Sequence, residues 1–294
     1  MTLDQLRVFV AVAELEHLTR AANALALSQS AVSSSIAALE ARYDTKLFDR
    51  VGRSIALTAA GRLFLDEARA VLARASAAQR AIADLTGLRR GTVSMAASQT
   101  VGNYWLPGVM RRFRAQYPGI SLALSITNTE QVVRQVGDGA ADIGFVEDQI
   151  SSNELDAQAV AADELVLVVA PNHPWAARSD FVPEGSNLCE SPWVMRERGS
   201  GTRSLFEKAV RDLQIDPRAL DVALELPSNE AVRTAVEAGA GATVMSRLVV
   251  ASSISAGTLV GLRWSLPARE FLMLRHQQRF ASEAMRAFCE MAST

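Results

Sequence analysis

Apolar residues recur at helical spacing from the start of the chain. Leu3, Leu6, Phe9, Val10 and Ala13 form one stripe and predict a helix to about residue 14. A second short helix, RAANALA, is predicted behind Thr19 as its N-cap, with Ala21, Ala22 and Leu25 suited to close packing. The three residues ALS then turn the chain into LSQSAVSSSIAALE (27–40), where Val32, Ile36 and Leu39 make the buried stripe and Ser28 the cap. The other face holds Gln29, Ser30, Ser33, Ser34 and Ser35, where a solvated helix would carry Lys or Glu. Two short helices joined so tightly form a helix-turn-helix pattern, whose second helix lays its N-terminal part in the DNA major groove. Short hydroxyl and amide side chains suit that groove and bond to base edges, while the helix N–H groups favour phosphate. The same serines would equally line a helix–helix contact.

The next stretch, KLFDRVGRSIALTAAG, pairs apolar Leu47 and Phe48 with the alternating SIALT across a turn glycine, which predicts a hairpin wing. Arg50 and Arg53 flank its tip, placed for phosphate or the minor groove. Thr58 caps a long helix to about residue 85. Leu65, Leu72 and Gln79 recur every seven residues, as do Gly61, Ala68, Ala75 and Ile82, which predicts a seam with a second copy of the chain, the alternative being a helix docked within its own chain. Residues 1–58 carry six basic and six acidic side chains, so any role on DNA comes from local placement and not from net charge.

From residue 91 the pattern changes to alternating strand and helix: strands at 92–98, 121–127, 142–147, 163–171, 193–197, 222–226 and 241–246, with helices between most of them. The order predicts two α/β lobes, the first about 91–162 and 266–294, the second about 163–265, with a ligand cleft outside the carboxyl ends of the strands. The strand ends facing such a cleft carry Ser98, Gln99 and Thr100 with Asn103 a turn later, then Thr127, Asn128 and Thr129, then Glu147. The second lobe offers Ser200, Thr202 and Arg203 in GSGTR, and Ser228 with Asn229 in PSNE. Hydroxyls beside free helix N–H groups point to a small anion or carboxylate, although the same residue types serve as plain N-caps. Glu147 would repel an anion, so it either pairs with Arg196 or Arg203 or meets an ammonium on the ligand.

Composition adds exclusions. The 294 residues are 49% hydrophobic and 21% charged with net charge −2, ordinary for a globular protein of two or more domains. No charged segment leads into an apolar run at the N-terminus and no stretch has the length of a membrane span, so a cytoplasmic location is expected. Two cysteines, Cys189 and Cys289, make no disulfide framework, and with three histidines they show no metal-ligand spacing, so no cofactor is expected. Their alternative use is as a thiol redox sensor. Ser200 in GSG lacks any recognisable histidine and acid pattern, which argues against a hydrolase. A solute-binding protein fits the two lobes but not the N-terminal module.

The stretch LDQLRVFVAVAELEHLTRAANALALSQSAVSSSIAALEARYDTKLFDRVGRSIALTAAG resembles the N-terminal region of LysR-type transcriptional regulators, through LxxLxxFxxVAE, TRAAxxLxLSQSAVSxxIxxLE, LFxR and LTxAG. The resemblance implies an α/β effector-binding region of two lobes, periplasmic-binding-protein-like, preceded by an all-α winged helix-turn-helix and a long linker helix. The implied domains are 1–58 for DNA, 59–88 for dimerisation and 91–294 for the effector. It implies contact of Thr19, Arg20, Ser28, Gln29, Ser30, Ser33, Ser34, Arg50 and Arg53 with double-stranded DNA at an interrupted palindrome. It further implies dimers through Leu65, Ala68, Leu72, Ala75 and Ile82, tetramers, and RNA polymerase as a partner. Ser34 departs from the pattern, since many members carry Arg or Lys there. SxTxGNYxLP, IGFVE and RExGSGTR resemble a subset linked to sulfur and carbon assimilation.

Overall fold

The computed structural model describes the chain apart from residues 52–53, 84–90, 148–149, 151, 179–184 and 267, and only the backbone of residues 50, 51, 54, 77, 79–83, 185 and 186. Two compact units emerge, one built on residues 1–82 and the other on 83–137 and 141–294.

In the first unit α1 (Leu3–Leu15), α2 (Leu18–Ala24) and α3 (Gln29–Tyr43) precede an antiparallel wing of β1 (Phe48–Val51) and β2 (Ser54–Leu57), and α4 (Ala59–Ala83) closes it. Thr2 and Gln5 cap α1 reciprocally, and the Ser28 hydroxyl accepts the Ala31 N–H at 3.1 Å to start α3. The predicted stripes meet in one core: Leu6, Phe9, Val12, Ala21, Val32, Ile36 and Leu39 are all buried. Thr19 is not the cap of α2; His17 holds that position without a side-chain bond, and Thr19 lies one turn position inside the helix. The cause is the start of the helix at Leu18, which is half-buried against the core cluster.

Thr58 does cap α4, accepting from the Gly61 N–H at 2.9 Å. Gly61 has a reason other than a heptad seam: a Cβ there would lie 2.1 Å from the Leu47 carbonyl oxygen, so the helix touches the wing backbone. Ala68 is buried in the core of its own unit, which takes it out of a seam, while Leu65 and Leu72 pack against that core and stay partly exposed. The Phe64 ring, on the same face, meets Phe9 tilted by 55° with centroids 4.8 Å apart. The apolar face that α4 leaves open belongs to Leu63, 73% exposed, and Val71. Ala75 is half-buried, and the side chains of Gln79 and Ile82, like all of Leu85, lie outside the described residues.

The second unit holds two sheets of matching plan. In lobe I, β3 (Gly91–Ser98), β4 (Ile120–Thr127), β5 (Ile143–Val146), β6 (Leu155–Asp163) and β12 (Arg269–His276) lie in the order β4-β3-β5-β12-β6. In lobe II, β7 (Leu165–Val169), β10 (Thr243–Ser246) and β11 (Val260–Leu262) form one sheet, and β8 (Trp193–Arg196) pairs with β9 (Val222–Leu226). A parallel bridge from Trp193 to Ala242 joins them, so the order reads β9-β8-β10-β7-β11, position for position that of lobe I. A π-helical turn (Val101–Trp105) leads from β3 into α5 (Leu106–Gln116), while α6 (Thr129–Asp138) leaves β4. Helix α5 packs with α10 (Glu283–Ala292) in one cluster and α6 in another. Adjacent β3 and β4 thus send their helices to opposite faces, which opens a crevice at their carboxyl ends. Lobe II repeats this with α7 (Gly201–Asp212) after β8 and α8 (Asn229–Glu237) after β9.

The expected strand at 163–171 is β7, shorter at both ends, and β6 of the other lobe ends just before it at Asp163. Strands β6 and β11 and helix α9 (Arg247–Ala256) were not anticipated from the pattern. Helix α9 follows β10 without a loop, with Ser246 as both last strand residue and N-cap, so no punctuation marks its start.

Candidate nucleic-acid and effector sites

Gln29, Ser30 and Ser34 are exposed on the first turns of α3 and Ser33 is half-buried, while Thr19 and Arg20 are exposed on α2. The Ser28 and Ser30 hydroxyls lie 2.9 Å apart at the helix start. The Arg50 side chain and all of Arg53 lie outside the described residues. The sequence reading missed Glu40. Its buried carboxyl accepts from the Leu47 N–H at 2.8 Å, the Phe48 N–H at 3.2 Å and Lys46 Nζ at 2.9 Å. Burial pushes this carboxyl up, but the lysine and the two amides outweigh it and hold it below its ordinary value. Glu40 therefore fixes where the wing leaves α3. Its only signal in sequence was an acidic residue directly after the last apolar position of the stripe.

In the second unit the strand ends named above come together across the two lobes. Gln99 Nε2 donates to the Pro227 carbonyl at 2.7 Å, and its Oε1 accepts the Asn229 N–H, the first amide of α8, at 2.9 Å. Asn229 Nδ2 donates to Thr100 Oγ1 at 3.2 Å, while its Oδ1 accepts from Arg196 Nη1 at 2.5 Å. In the opposite direction the Gly199 carbonyl accepts the Glu130 N–H of α6 at 3.2 Å. Each lobe thus supplies an acceptor to a helix N-terminus of the other, where free amides and the dipole favour one. Ser228 caps α8 through the Ala231 N–H, and Asn128 Oδ1 caps α6 through the Gln131 N–H, so the capping alternative holds for both.

Three hydroxyls keep donor capacity. Ser98 Oγ is buried and, among the described residues, without a hydrogen-bond partner. Thr100 accepts from Asn229, and Thr202 accepts from Arg269 Nη1 at 3.1 Å, which leaves each its O–H. Ser200 is buried at the N-cap of α7 without a side-chain cap bond. Thr127 closes β4 opposite Ser98 in the parallel register. Asn103 is exposed on the π-helical turn, apart from this network.

Arg269 and Asp163, neither anticipated, sit where the chain crosses between lobes. Arg269 Nε donates to Asp163 Oδ2 at 2.6 Å; Nη2 lies 2.5 Å from the same oxygen, off the hydrogen-bond direction. Ser246 donates to the other Asp163 oxygen at 2.7 Å. The pair is almost wholly buried, so its charges balance in place. A lone Asp and a lone Arg 106 positions apart carry no spacing signal.

The suggested pairing of Glu147 with Arg196 or Arg203 does not form. Arg196 is held by both oxygens of Glu197, and Arg203 by Glu207, Glu225 and the Arg196 carbonyl. Glu147 accepts from Thr129 Oγ1 at 3.4 Å. The second unit also contains a serine–histidine pair, Ser191 and His173, 2.9 Å apart. The Trp175 N–H donates to His173 Nδ1, so the neutral ring carries its proton on Nε2 and donates to Ser191, whose hydroxyl turns to the Pro192 carbonyl. That polarity is the reverse of nucleophile activation. Burial pushes the Cys289 thiol up to about 11, while Cys189 is exposed; both are free. Among the described residues no cluster suits a metal ion and no helix is long and apolar enough to cross a membrane.

Comparison with known proteins agrees with this division. Residues 3–62 match the family model of bacterial regulatory helix-turn-helix proteins of the lysR family, and residues 86–294 match the LysR substrate binding domain. YeiE of Escherichia coli K12, described as an uncharacterised helix-turn-helix transcriptional regulator, is 37% identical over 292 residues, covering 99% of this chain and 96% of that protein. The regulatory domain of Synechocystis CcmR in complex with 2-PG superposes with TM-score 0.62 at 26% identity, covering 69% of this chain and 95% of that one. Full-length CbnR with its target DNA gives TM-score 0.69 at 21% identity over 99% of each chain, a likeness of fold.

Proposed function

The chain belongs to the LysR family of transcriptional regulators, and from that premise we propose that a small anion or small carboxylate, bound between lobes I and II, sets its action on DNA. The observation that carries the ligand half is the buried Ser98 hydroxyl, without a hydrogen-bond partner among the described residues, beside Thr100, with buried Ser200 and Thr202 at the start of α7 in the other lobe. Neutral O–H and N–H donors hold a desolvated anion without a counter-ion. Gln99, Thr127, Asn128, Thr129 and Ser228 frame the same space, and Asn229, Arg196 and Arg269 join the assignment. The ligand acts only through its different affinity for closed and open lobes, and the cross-lobe bonds are what it competes with or reinforces.

On DNA, Gln29, Ser30 and Ser33 read base edges, and Ser28, Ser34, Thr19, Arg20, Arg50 and Arg53 serve the backbone. Support for this half is the exposed, capped start of α3 with its short polar side chains. The protein works in the cytoplasm as a dimer that pairs into a tetramer on an interrupted palindrome, and it contacts RNA polymerase. The open apolar face of Leu63 and Val71 on α4, with a groove of about 380 Å³ lined by Leu39, Tyr43, Leu47 and Phe64, supports the dimer.

The test joins both halves. A thermal-shift screen of small anions and carboxylates finds a ligand; Thr100→Val then weakens it by about 1–3 kcal/mol without changing operator affinity in its absence. Gln29→Ala costs about 1–3 kcal/mol on the operator and little on random DNA. Unchanged ligand affinity in the first variant, or equal losses on both DNAs in the second, would refute the corresponding half.

A further inference from the structure

Glu147 follows β5 and is 2% exposed. Among the described residues it forms no ion pair, and its bond from Thr129 is at the long limit. The guanidiniums of the cleft are committed to other carboxylates: Arg196 to Glu197, Arg203 to Glu207 and Glu225, Arg269 to Asp163. A carboxylate withdrawn from water in this way requires donors. The parallel register that matches Ala97 to Phe145 sets Ser98 and Glu147 on the same carboxyl edge of the sheet, two strands side by side. One end of the site therefore offers an O–H that donates, and the other an acceptor left nearly empty.

We propose that Glu147 reads a hydrogen carried by the effector: the ligand is an anion that also bears an O–H or N–H donor, and anions lacking one are rejected. The inference rests on the reading of the cleft as the effector site. The Ser98, Thr100 and Thr202 hydroxyls serve the anionic oxygens. A fully deprotonated oxyanion would set one of its oxygens against the Glu147 carboxylate, acceptor against acceptor. A donor-bearing anion replaces that repulsion with a charge-assisted hydrogen bond. Sites built to meet a donor discriminate strongly against analogues without it, because a buried acceptor is then left unpaired.

The experiment titrates the full chain calorimetrically at neutral pH with two matched pairs, hydrogen phosphate against sulfate and glycolate against acetate. The first pair reads an inorganic oxyanion, the second an organic acid. In the wild-type chain the donor-bearing member of at least one pair binds tenfold or more tightly than its partner. Glu147→Gln, whose amide can donate, brings that ratio to within about twofold by admitting the donor-free anion. Glu147→Asp keeps the preference and serves as the folding-competent control that retains the carboxylate. Equal affinity within both pairs, or a preference unchanged in Glu147→Gln, overturns the proposal. Binding of sulfate and acetate as tight as that of their partners, abolished by Thr100→Val, overturns the role of Glu147 and leaves the cleft in place; no saturable binding of any of the four overturns both.

Discussion

Replacing Asn229 by alanine removes the side chain on which two cleft residues, Arg196 and Thr100, converge. Its Oδ1 accepts from the Arg196 guanidinium and its Nδ2 donates to Thr100, both in buried surroundings. A hydrogen bond to a charged donor is worth roughly 1.5–3 kcal/mol and a neutral one roughly 0.5–1.5. Arg196 keeps its two bonds to Glu197, so no guanidinium is stranded, and the lower half of the sum applies: about 2–3 kcal/mol. The four tryptophans, Trp105, Trp175, Trp193 and Trp264, all lie in the second unit, so their fluorescence reports its unfolding and not that of the first. With a urea m-value of about 3 kcal/mol/M the midpoint falls by roughly 0.7–1 M. Asn229→Asp keeps an acceptor for Arg196 and lets the Thr100 hydroxyl turn and donate, so most of the loss is restored. A midpoint shift below about 0.2 M for Asn229→Ala, or an Asp variant as unstable as the Ala variant, would refute the view that Asn229 ties the lobes.

Three further outcomes follow from the geometry. Gly61→Ala drives a methyl into the Leu47 carbonyl and so separates α4 from the wing; about 3 kcal/mol or more is lost from the first unit, measured by circular dichroism melting of residues 1–82 or by loss of DNA binding in the full chain. Burial holds the His173 ring below its ordinary value of 6.5, so the unfolded chain takes up the proton first; stability is complete above that value and falls as pH drops toward the folded value, and His173→Gln flattens the slope between pH 7 and 5 in urea titrations. Leu63→Glu places a charge on the open face of α4 without touching the core, so sedimentation reports a smaller assembly with an unchanged melting temperature, whereas Leu72→Glu melts the first unit itself.

The sequence by itself determined which elements form wherever one face is buried at a regular period. Val32, Ile36 and Leu39 recur every three or four residues because α3 has a single core to face, and Ser28 marks its start because a capping hydroxyl acts within three residues. The strand–helix alternation likewise marked out two lobes, and it put Ser98, Thr100 and Ser200 at strand ends, where the crevices of such folds open. What only the tertiary structure decided depends on pairs far apart in the chain. The heptad at Leu65, Ala68 and Leu72 is compatible with a partner helix or with the chain's own core; packing against Phe9 and its neighbours chose the core and left Leu63 outside. Asn229 reads as a helix start, and only the approach of the lobes brings Thr100 to it from 129 positions away. Asp163 and Arg269 carry no periodicity, since a buried ion pair is specified by three-dimensional charge balance and not by spacing. Glu147 reads as a carboxylate awaiting a cation, and folding gave Arg196 and Arg203 to other acids because those acids lie within one turn or one strand of them.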